Sequence, residues 1–354
     1  KSSFSINIIV SFFSPSGYEN SLKYSFADII TYLPIDTKRN VKSFLDLLNP
    51  SIIFVVRYDI WPNFILEASK RNIPLFLVDA TLRKNSLRRH PLFLSFNKLL
   101  FEMFTEIFCI SPVDFENFQI FNLKNVDIKI AGDTRYDRVF LKATEAKDKK
   151  IFDPGIVANK TVIMAGSSWQ DDEQYFFPAM SKLLKNYPGL IFFIVPHEPN
   201  IPTLERIENE IKSFSNSIRF SHLIQYNGEQ VVIIDSIGIL LALYSSADIA
   251  FVGGGFKSNV HNVLEAAVYG IPVIYGPKIY NSQEASNLAE SGGGFIVHSS
   301  KSLYYLLASF LRNREFLIKS GEIAGNFVNS RVGATEKIID SIPKGIIQKN
   351  LTKE

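Results

Sequence analysis

A single cysteine, Cys109, leaves no possibility of a disulfide framework, and such sparing use fits a reducing compartment. Long hydrophobic runs are missing as well. None approaches the ~18 residues a membrane-spanning helix needs, and no secretory leader is visible. His, Cys and carboxylate residues nowhere adopt metal-ligand spacing, and no serine sits in a nucleophile elbow. The GxGxxG and Walker A patterns are both absent, which argues against nicotinamide chemistry and ATP hydrolysis. There is no internal repeat and no low-complexity tract to carry a solenoid or a disordered tail.

What is present is enough apolar residue for two cores: 354 residues, 46% of them hydrophobic. Short runs rich in Ile, Val and Phe alternate with helix-length amphipathic segments. The front half offers 6–12, 29–32, 52–56, 75–78, 107–109 and 128–130. The back half offers 161–164, 190–195, 231–234, 249–252, 272–274 and 295–297. Near-continuous apolar strands alternating with helices predict parallel sheets covered on both faces. The charged stretch "KATEAKDKK" (142–150), followed by "DPG", reads as a linker. The expectation is therefore two Rossmann-like, doubly wound α/β domains, 1–150 and 151–354, facing each other across a cleft. Residues 1–150 hold 21 basic and 16 acidic side chains, and the remainder 17 and 19. The front half thus favours an anionic partner, with "RKNSLRR" (83–89: Arg83, Lys84, Arg88, Arg89) its densest basic stretch.

Ligands of such sheets lie beyond the carboxyl ends of the strands, and three loops there draw attention. "AGSSWQDDE" places Gly166, Ser167 and Ser168 between a strand and a helix, a small-residue turn suited to an anion; a serine N-cap before an acidic first turn reads the same way. "VPHEPN" sets Pro196, His197 and Glu198 on a rigid loop able to present a base-recognition edge, or simply an exposed histidine. "GGGFKSNVHNVLE" runs from Gly253 to Glu265. Its glycines allow close backbone approach, and Asn262 can cap the helix that follows. Glu265 on the first turn can accept two ribose hydroxyls while the helix start holds a phosphate, the pairing of groups a nucleotide needs. A capping box between Asn262 and Glu265 is the competing account, but it leaves His261 and the glycines unexplained.

Taken together, "FFSPSGYE" (12–19), "YLPIDTKRNVKSFL" (32–45), "RYDIWPN" (57–63), "AGDTRYDRV" (131–139), "AGSSWQDDE" (165–173), "VPHEPN" (195–200), "DSIGILLALYSSADIAFVGGGF" (235–256), "HNVLEAAVYGIPVIYGP" (261–277) and "SGGGF" (291–295) resemble the 3-deoxy-D-manno-octulosonic acid (Kdo) transferases. The resemblance implies a GT-B glycosyltransferase that moves Kdo from CMP-Kdo to the lipid A precursor with inversion, in lipopolysaccharide biosynthesis. It implies no cofactor or metal and no nucleic-acid partner. It puts Gly254, Gly255, His261, Asn262 and Glu265 on the donor, joined by Ser167, Ser168, Pro196 and His197. It gives the front domain to the lipid acceptor and an anionic membrane surface, at the cytoplasmic face of the bacterial inner membrane.

Two departures stand out. Many members carry an acidic residue where this chain has Arg57, and an Arg-His pair where it has His197-Glu198. The family's proposed general-base glutamate matches no residue here and is expected upstream of Lys1, with a first strand and a membrane anchor. Within the chain Asp59 is the candidate base and Glu19 the second, Glu19 lying where helix capping is expected. A chain without that base is expected to bind CMP while transferring little. The alternatives are a GT-B enzyme for a UDP- or GDP-sugar, or a nucleotide-binding relative without catalysis.

Overall fold

The computed structural model describes residues 6–22, 24–147 and 149–342, and the chain divides into two compact units. The first takes Lys1–Thr134 with Gly333–Glu354, the second Arg135–Val332. Every strand pairing in both is parallel. Among the described residues no helix is long and apolar enough to cross a membrane.

In the first unit β1 (Ile9–Phe12) pairs with β2 (Ile29–Tyr32). A separate four-stranded sheet runs in sequential order through β3 (Ile53–Val56), β4 (Leu75–Ala80), β5 (Glu106–Cys109) and β6 (Asp127–Ile130). All six residues of β4 are buried, which is why its "LFLVDA" is apolar almost throughout, as a parallel strand covered on both faces must be. One face packs Leu75, Leu77 and Ile107 with Ile65 and a ring cluster in which Phe101 meets Phe118 and Phe121 at 5.2 and 4.8 Å. On the other, Phe76, Val78 and Phe108 meet Ile338 of the C-terminal helix Ala334–Ser341.

The second unit is a seven-stranded sheet in the order β13-β12-β11-β7-β8-β10-β9. Its strands are β7 (Thr161–Ser168), β8 (Leu190–Pro196), β9 (Ser217–Arg219), β10 (Val231–Ile233), β11 (Ile249–Val252), β12 (Val273–Tyr275) and β13 (Gly294–Ile296). The winding reverses at β7, whose neighbours are β8 and β11. In open α/β sheets that reversal opens a crevice beyond the strand ends.

Three details differ from the sequence expectation. The "linker" 142–150 begins as the last turns of a helix, Thr134–Lys147, whose Tyr136, Val139, Ala143 and Ala146 are buried in the second unit. The units accordingly divide at Thr134, and the chain crosses again at Gly333. Charge on the helix's solvent side had masked a narrow apolar stripe. The edge strand β9 has only "SIR" for sequence, too little to register as a run. And β7 continues through Gly166, Ser167 and Ser168, pairing Ser168 with Pro196 after a register shift, with Ser167 at φ 52°. Small residues there form an irregular strand end, and Trp169 is the N-cap of the helix Gln170–Asn186.

The glycine run is accounted for by the chain's own packing. A Cβ on Gly253 would strike the Ser167 carbonyl oxygen, and one on Gly255 would lie 2.6 Å from the Gly276 backbone nitrogen. Gly254 sits at φ 88°, where side chains are strained. Gly255→Ala is therefore expected to lose about 1–3 kcal/mol or more of stability in urea denaturation, the usual range for overpacking. Gly189→Ala, with nothing within 4 Å of the added carbon, is the control and should stay within about 0.5 kcal/mol. Equal midpoints for the two would contradict the packing account.

Candidate functional site

The ends of β7, β8 and β11 are tied together by backbone bonds: Gly253 N–H donates to the Gly166 carbonyl at 2.9 Å, and His197 N–H to the Ser168 carbonyl at 2.9 Å. One carboxylate completes the junction. Asp172, fully buried on the first turn of the helix Gln170–Asn186, accepts from the N–H groups of Gly254 (2.7 Å), Trp169 (3.0 Å) and Phe256 (3.1 Å). Burial pushes its pKa up, and the three N–H donors oppose that shift. Its neighbour Glu173, also buried, accepts from Ser168 Oγ at 2.8 Å and from Arg206 Nη2 at 2.6 Å. The Ser168 hydroxyl is thereby committed to the protein, and Ser168 is buried. Ser167 is half-buried, Pro196 is buried and His197 is exposed.

Over this junction lies a stack of flat rings. His197 and His261 are parallel within 9° at 4.4 Å, and Trp169 lies 4.6 Å from His197. The Trp169 indole N–H donates to His261 Nε2 at 2.9 Å, and Lys257 Nζ sits 2.9 Å from the Trp169 ring centroid. Burial first, then His197 and Lys257, push the His261 pKa down to about 4. His261 is neutral at pH 7, and since Nε2 accepts, its proton is on Nδ1.

Next to it, Asn262 Oδ1 accepts from Leu264 N–H at 3.2 Å while its amide donates to Glu265 Oε1 at 3.0 Å. The expected helix is one turn, Leu264–Ala267, so its dipole is small. The capping box also differs, because Glu265 is held by the Asn262 side chain. Burial raises the Glu265 pKa; Asn262, then Lys142 and Arg138 of the helix Thr134–Lys147, pull it down. The arrangement is a carboxylate poised by an amide, beside flat rings and two cations, at the reversal point of the sheet. That set can accept hydroxyl hydrogens, stack a planar ring and neutralise an anion. Sequence reasoning missed Trp169, Lys257 and Asp172. The signal for Trp169 was available: it is one of two tryptophans and stands at a strand-to-helix junction.

In the first unit, the four basic residues have different duties. Arg83 and Lys84 are exposed. Arg88 Nη2 donates to the Tyr58 carbonyl at 2.9 Å, and Arg89 Nη1 donates to Asn117 Oδ1 at 2.9 Å and to the Lys84 carbonyl at 3.1 Å. Burial lowers the Arg88 pKa, opposed by Asp59. Asp59 is exposed in the turn after β3, and Glu19 is exposed on the short helix Pro15–Ser21. Arg57, at φ 58°, pairs with buried Asp133 at 3.0 Å. Among the described residues no group of three or more His, Cys, Asp or Glu side chains could hold a metal ion.

The histidine stack makes a measurable claim. By NMR, His261 should titrate near pH 4, well below the ordinary value of about 6.5. A histidine whose pKa is depressed on folding stabilises the fold while neutral, so its contribution is present above the unfolded value and is lost as pH falls from about 6.5 to about 4. Trp169→Phe removes the donor that favours neutral Nε2 and should move the titration upward. An unshifted His261 titrating near 6.5 in the unaltered protein would contradict the geometry.

Comparison with known proteins gives these features a setting. The family model described as 3-deoxy-D-manno-octulosonic-acid transferase (kdotransferase) matches residues 1–138. The 3-deoxy-D-manno-octulosonic acid transferase of Haemophilus influenzae is 24% identical over 353 residues, 98% of this chain and 82% of that protein. The transferase of the same name from Aquifex aeolicus is 30% identical over 327 residues, 91% of this chain and 84% of that protein. Among solved structures, the UDP-GlcNAc 2-epimerase of Neisseria meningitidis bound to UDP-GlcNAc superposes with a TM-score of 0.63 at 17% identity, covering 94% of this chain and 91% of that one. The epimerase likeness speaks for fold alone: α/β of the GT-B type. Identity at the Aquifex level across nearly the whole chain goes further, and makes this protein a glycosyltransferase that belongs to the 3-deoxy-D-manno-octulosonic acid transferase family.

Proposed function

We propose that the protein transfers Kdo from CMP-Kdo to the lipid A precursor, with inversion, in lipopolysaccharide biosynthesis at the cytoplasmic face of the bacterial inner membrane. The observation that carries the donor half is the Asn262–Glu265 pair, set beside the His197–His261–Trp169 stack at the reversal point of the second unit's sheet. In this reading Glu265 accepts the ribose hydroxyls through a carboxylate that Asn262 holds in place. The ring stack offers a planar face to the cytosine. Arg138 and Lys142, the cations acting on Glu265, are available to the phosphate, so no divalent cation is invoked. Ser167, Pro196, Gly254 and Gly255 contribute backbone to the same region, and Ser168 supports it from beneath through Glu173. The first unit takes the acceptor side, with Arg83 and Lys84 toward acidic headgroups. Within the chain, Asp59 is the candidate carboxylate for taking the acceptor hydroxyl's proton; it is exposed in the turn after β3.

Calorimetry should show CMP binding, more tightly than UMP or GDP, and equally in EDTA and in Mg²⁺. Glu265→Ala should weaken CMP about 10- to 100-fold, the loss of hydrogen bonds to a charged group worth roughly 1.5–3 kcal/mol. Preference for UMP or GDP would favour a different donor, and unchanged CMP affinity in a folded Glu265→Ala protein would remove Glu265 from the site.

Transfer is tested separately. Incubation with CMP-Kdo and lipid A precursor should yield Kdo-bearing lipid only slowly by mass spectrometry, since the family's proposed general base matches no residue of this chain. If transfer is fast instead, Asp59→Asn should slow it about 10²- to 10⁴-fold, the usual effect of removing a general base. CMP binding without any lipid product would support the non-catalytic alternative. Product at an undiminished rate from Asp59→Asn would release Asp59 from that role.

A further inference from the structure

The second unit carries a cavity of about 660 Å³, a size that suits a small ligand, since such sites run to roughly 300–1,000 Å³. It lies at the amino ends of the strands: Phe152 precedes β7, Ser246 precedes β11 and Tyr269 precedes β12, and all three line it. The donor loops stand beyond the carboxyl ends of β7, β8 and β11, so the proposed function uses nothing in this cavity. Lys147, Lys149 and Lys150 also line it, and all three are exposed. Among the described residues no acid lines the cavity and none of the three ammonium groups is in an ion pair. The stretch 147–150 holds one acid, Asp148, against the three lysines. The apolar part of the lining includes Phe140, 41% exposed, whose ring stacks on no other among the described residues. An open aromatic ring and unpaired ammonium groups in one cavity are the means to hold a planar ring that bears phosphate, the ring by stacking and the phosphate by charge.

We propose that this cavity is an effector site: it takes a soluble organic polyphosphate with a planar ring, of the nucleoside triphosphate class, and when filled it weakens CMP binding at the other end of the sheet. Three lysines favour several phosphates over one, and Phe140 supplies a platform for the ring. Binding without hydrolysis is meant, the Walker A pattern being absent. Two elements are shared by the cavity and the donor site. The helix Thr134–Lys147 gives Phe140 and Lys147 to the cavity, while its Arg138 and Lys142 act on Glu265. The segment 264–269 holds Glu265 near its start and Tyr269 at its end, and the Tyr269 hydroxyl donates to the Ala143 carbonyl of that same helix at 3.5 Å. Burial, and after it the Glu265 charge, pushes the Tyr269 pKa up to about 12, so the two ends of this segment already sense each other. A polyanion in the cavity draws on the positive field that Arg138 and Lys142 offer the CMP phosphate, which makes the coupling negative, and coupling between two bound ligands is reciprocal. The effect on CMP rests on the proposed donor site; the binding of the polyphosphate does not.

The test uses the whole chain, with ATP as the probe and pyrophosphate as the ringless control, in EDTA. Calorimetry without CMP should show ATP binding, and pyrophosphate binding about fivefold more weakly or worse, the usual worth of stacking one base on an aromatic side chain. Lys147→Gln/Lys149→Gln/Lys150→Gln should weaken ATP about tenfold or more, the scale of losing a hydrogen bond to a charged group. Phe140→Ala should bring ATP down toward pyrophosphate. Both variants should keep the parent's thermal midpoint and its CMP affinity in the absence of ATP, which checks their folding. Added ATP should raise the apparent Kd for CMP about fivefold or more and then level off, as coupled sites do, and the lysine variant should lose that rise. The inference is overturned if ATP does not bind, if it binds the lysine variant as well as the parent, or if the CMP affinity ignores it. It is also overturned if the apparent Kd climbs in proportion to ATP without a plateau, for then the two compete for one site. CMP that fails to bind, while ATP binds and depends on the lysines, would count against the donor reading and leave the polyphosphate in the cavity.

Discussion

The buried carboxylate of Asp172 is the constraint on which the second unit's site rests. Three backbone N–H groups at the ends of two strands have no strand partner beyond the sheet, and a buried N–H left unmade costs about 1–3 kcal/mol. One side chain from the first turn of the next helix satisfies all three. That single commitment sets where the glycine loop ends, where the helix Gln170–Asn186 begins and hence where Trp169 stands. Glu173, one residue on, does the same for Ser168 and Arg206. Charges are expensive to bury unless hydrogen-bonded, so two acids at adjacent buried positions mark a junction in which few rearrangements are tolerated. The ring stack and the Asn262–Glu265 pair sit on this rigid base, and rigidity beneath a site preserves its geometry without ordering it anew when a ligand arrives.

The glycines belong to the same junction. Read in sequence, Gly253–Gly255 invite a ligand close to the backbone. In the structure the backbone approached is the chain's own: Gly253 against Ser167, Gly255 against Gly276. The polar side chains of the candidate site stand further along, from Lys257 to Glu265. Glycine thus does its work by letting three strand ends converge, and the side chains that face outward inherit their positions from that convergence.

Much of the fold was legible because parallel strands covered on both faces write themselves as runs. Leu75–Ala80 and Leu190–Pro196 bury every residue and could hardly be read otherwise. Ser217–Arg219, an edge strand of three residues with one apolar side chain, has no such imprint. The helix Thr134–Lys147 was hidden for a related reason: small Ala143 and Ala146 carry its buried stripe among lysines. At the candidate site, Asn262 and Glu265 could be found by spacing because their partnership is local. Asp172 could not, since its partners Gly254 and Phe256 lie more than eighty residues away in sequence. Nor could Arg88 and Arg89 be separated from Arg83 and Lys84, because a run of charges looks uniform until the carbonyls that occupy two of them are placed.

The loop after β8 shows how planarity and positive charge can come from separate side chains. Where many relatives are expected to carry Arg-His, this chain has His197-Glu198. A guanidinium is planar and stacks on aromatic faces while bringing a fixed positive charge. His197 offers a planar face, lying parallel to His261 at 4.4 Å and close to Trp169. A cation comes from the end of another strand: Lys257, in the loop after β11, places its ammonium over the Trp169 ring. Planarity and positive charge are here supplied by different side chains, His197 and Lys257. Trp169 joins the two, since one face of the indole takes the cation while its N–H donates to His261 Nε2, which burial keeps neutral.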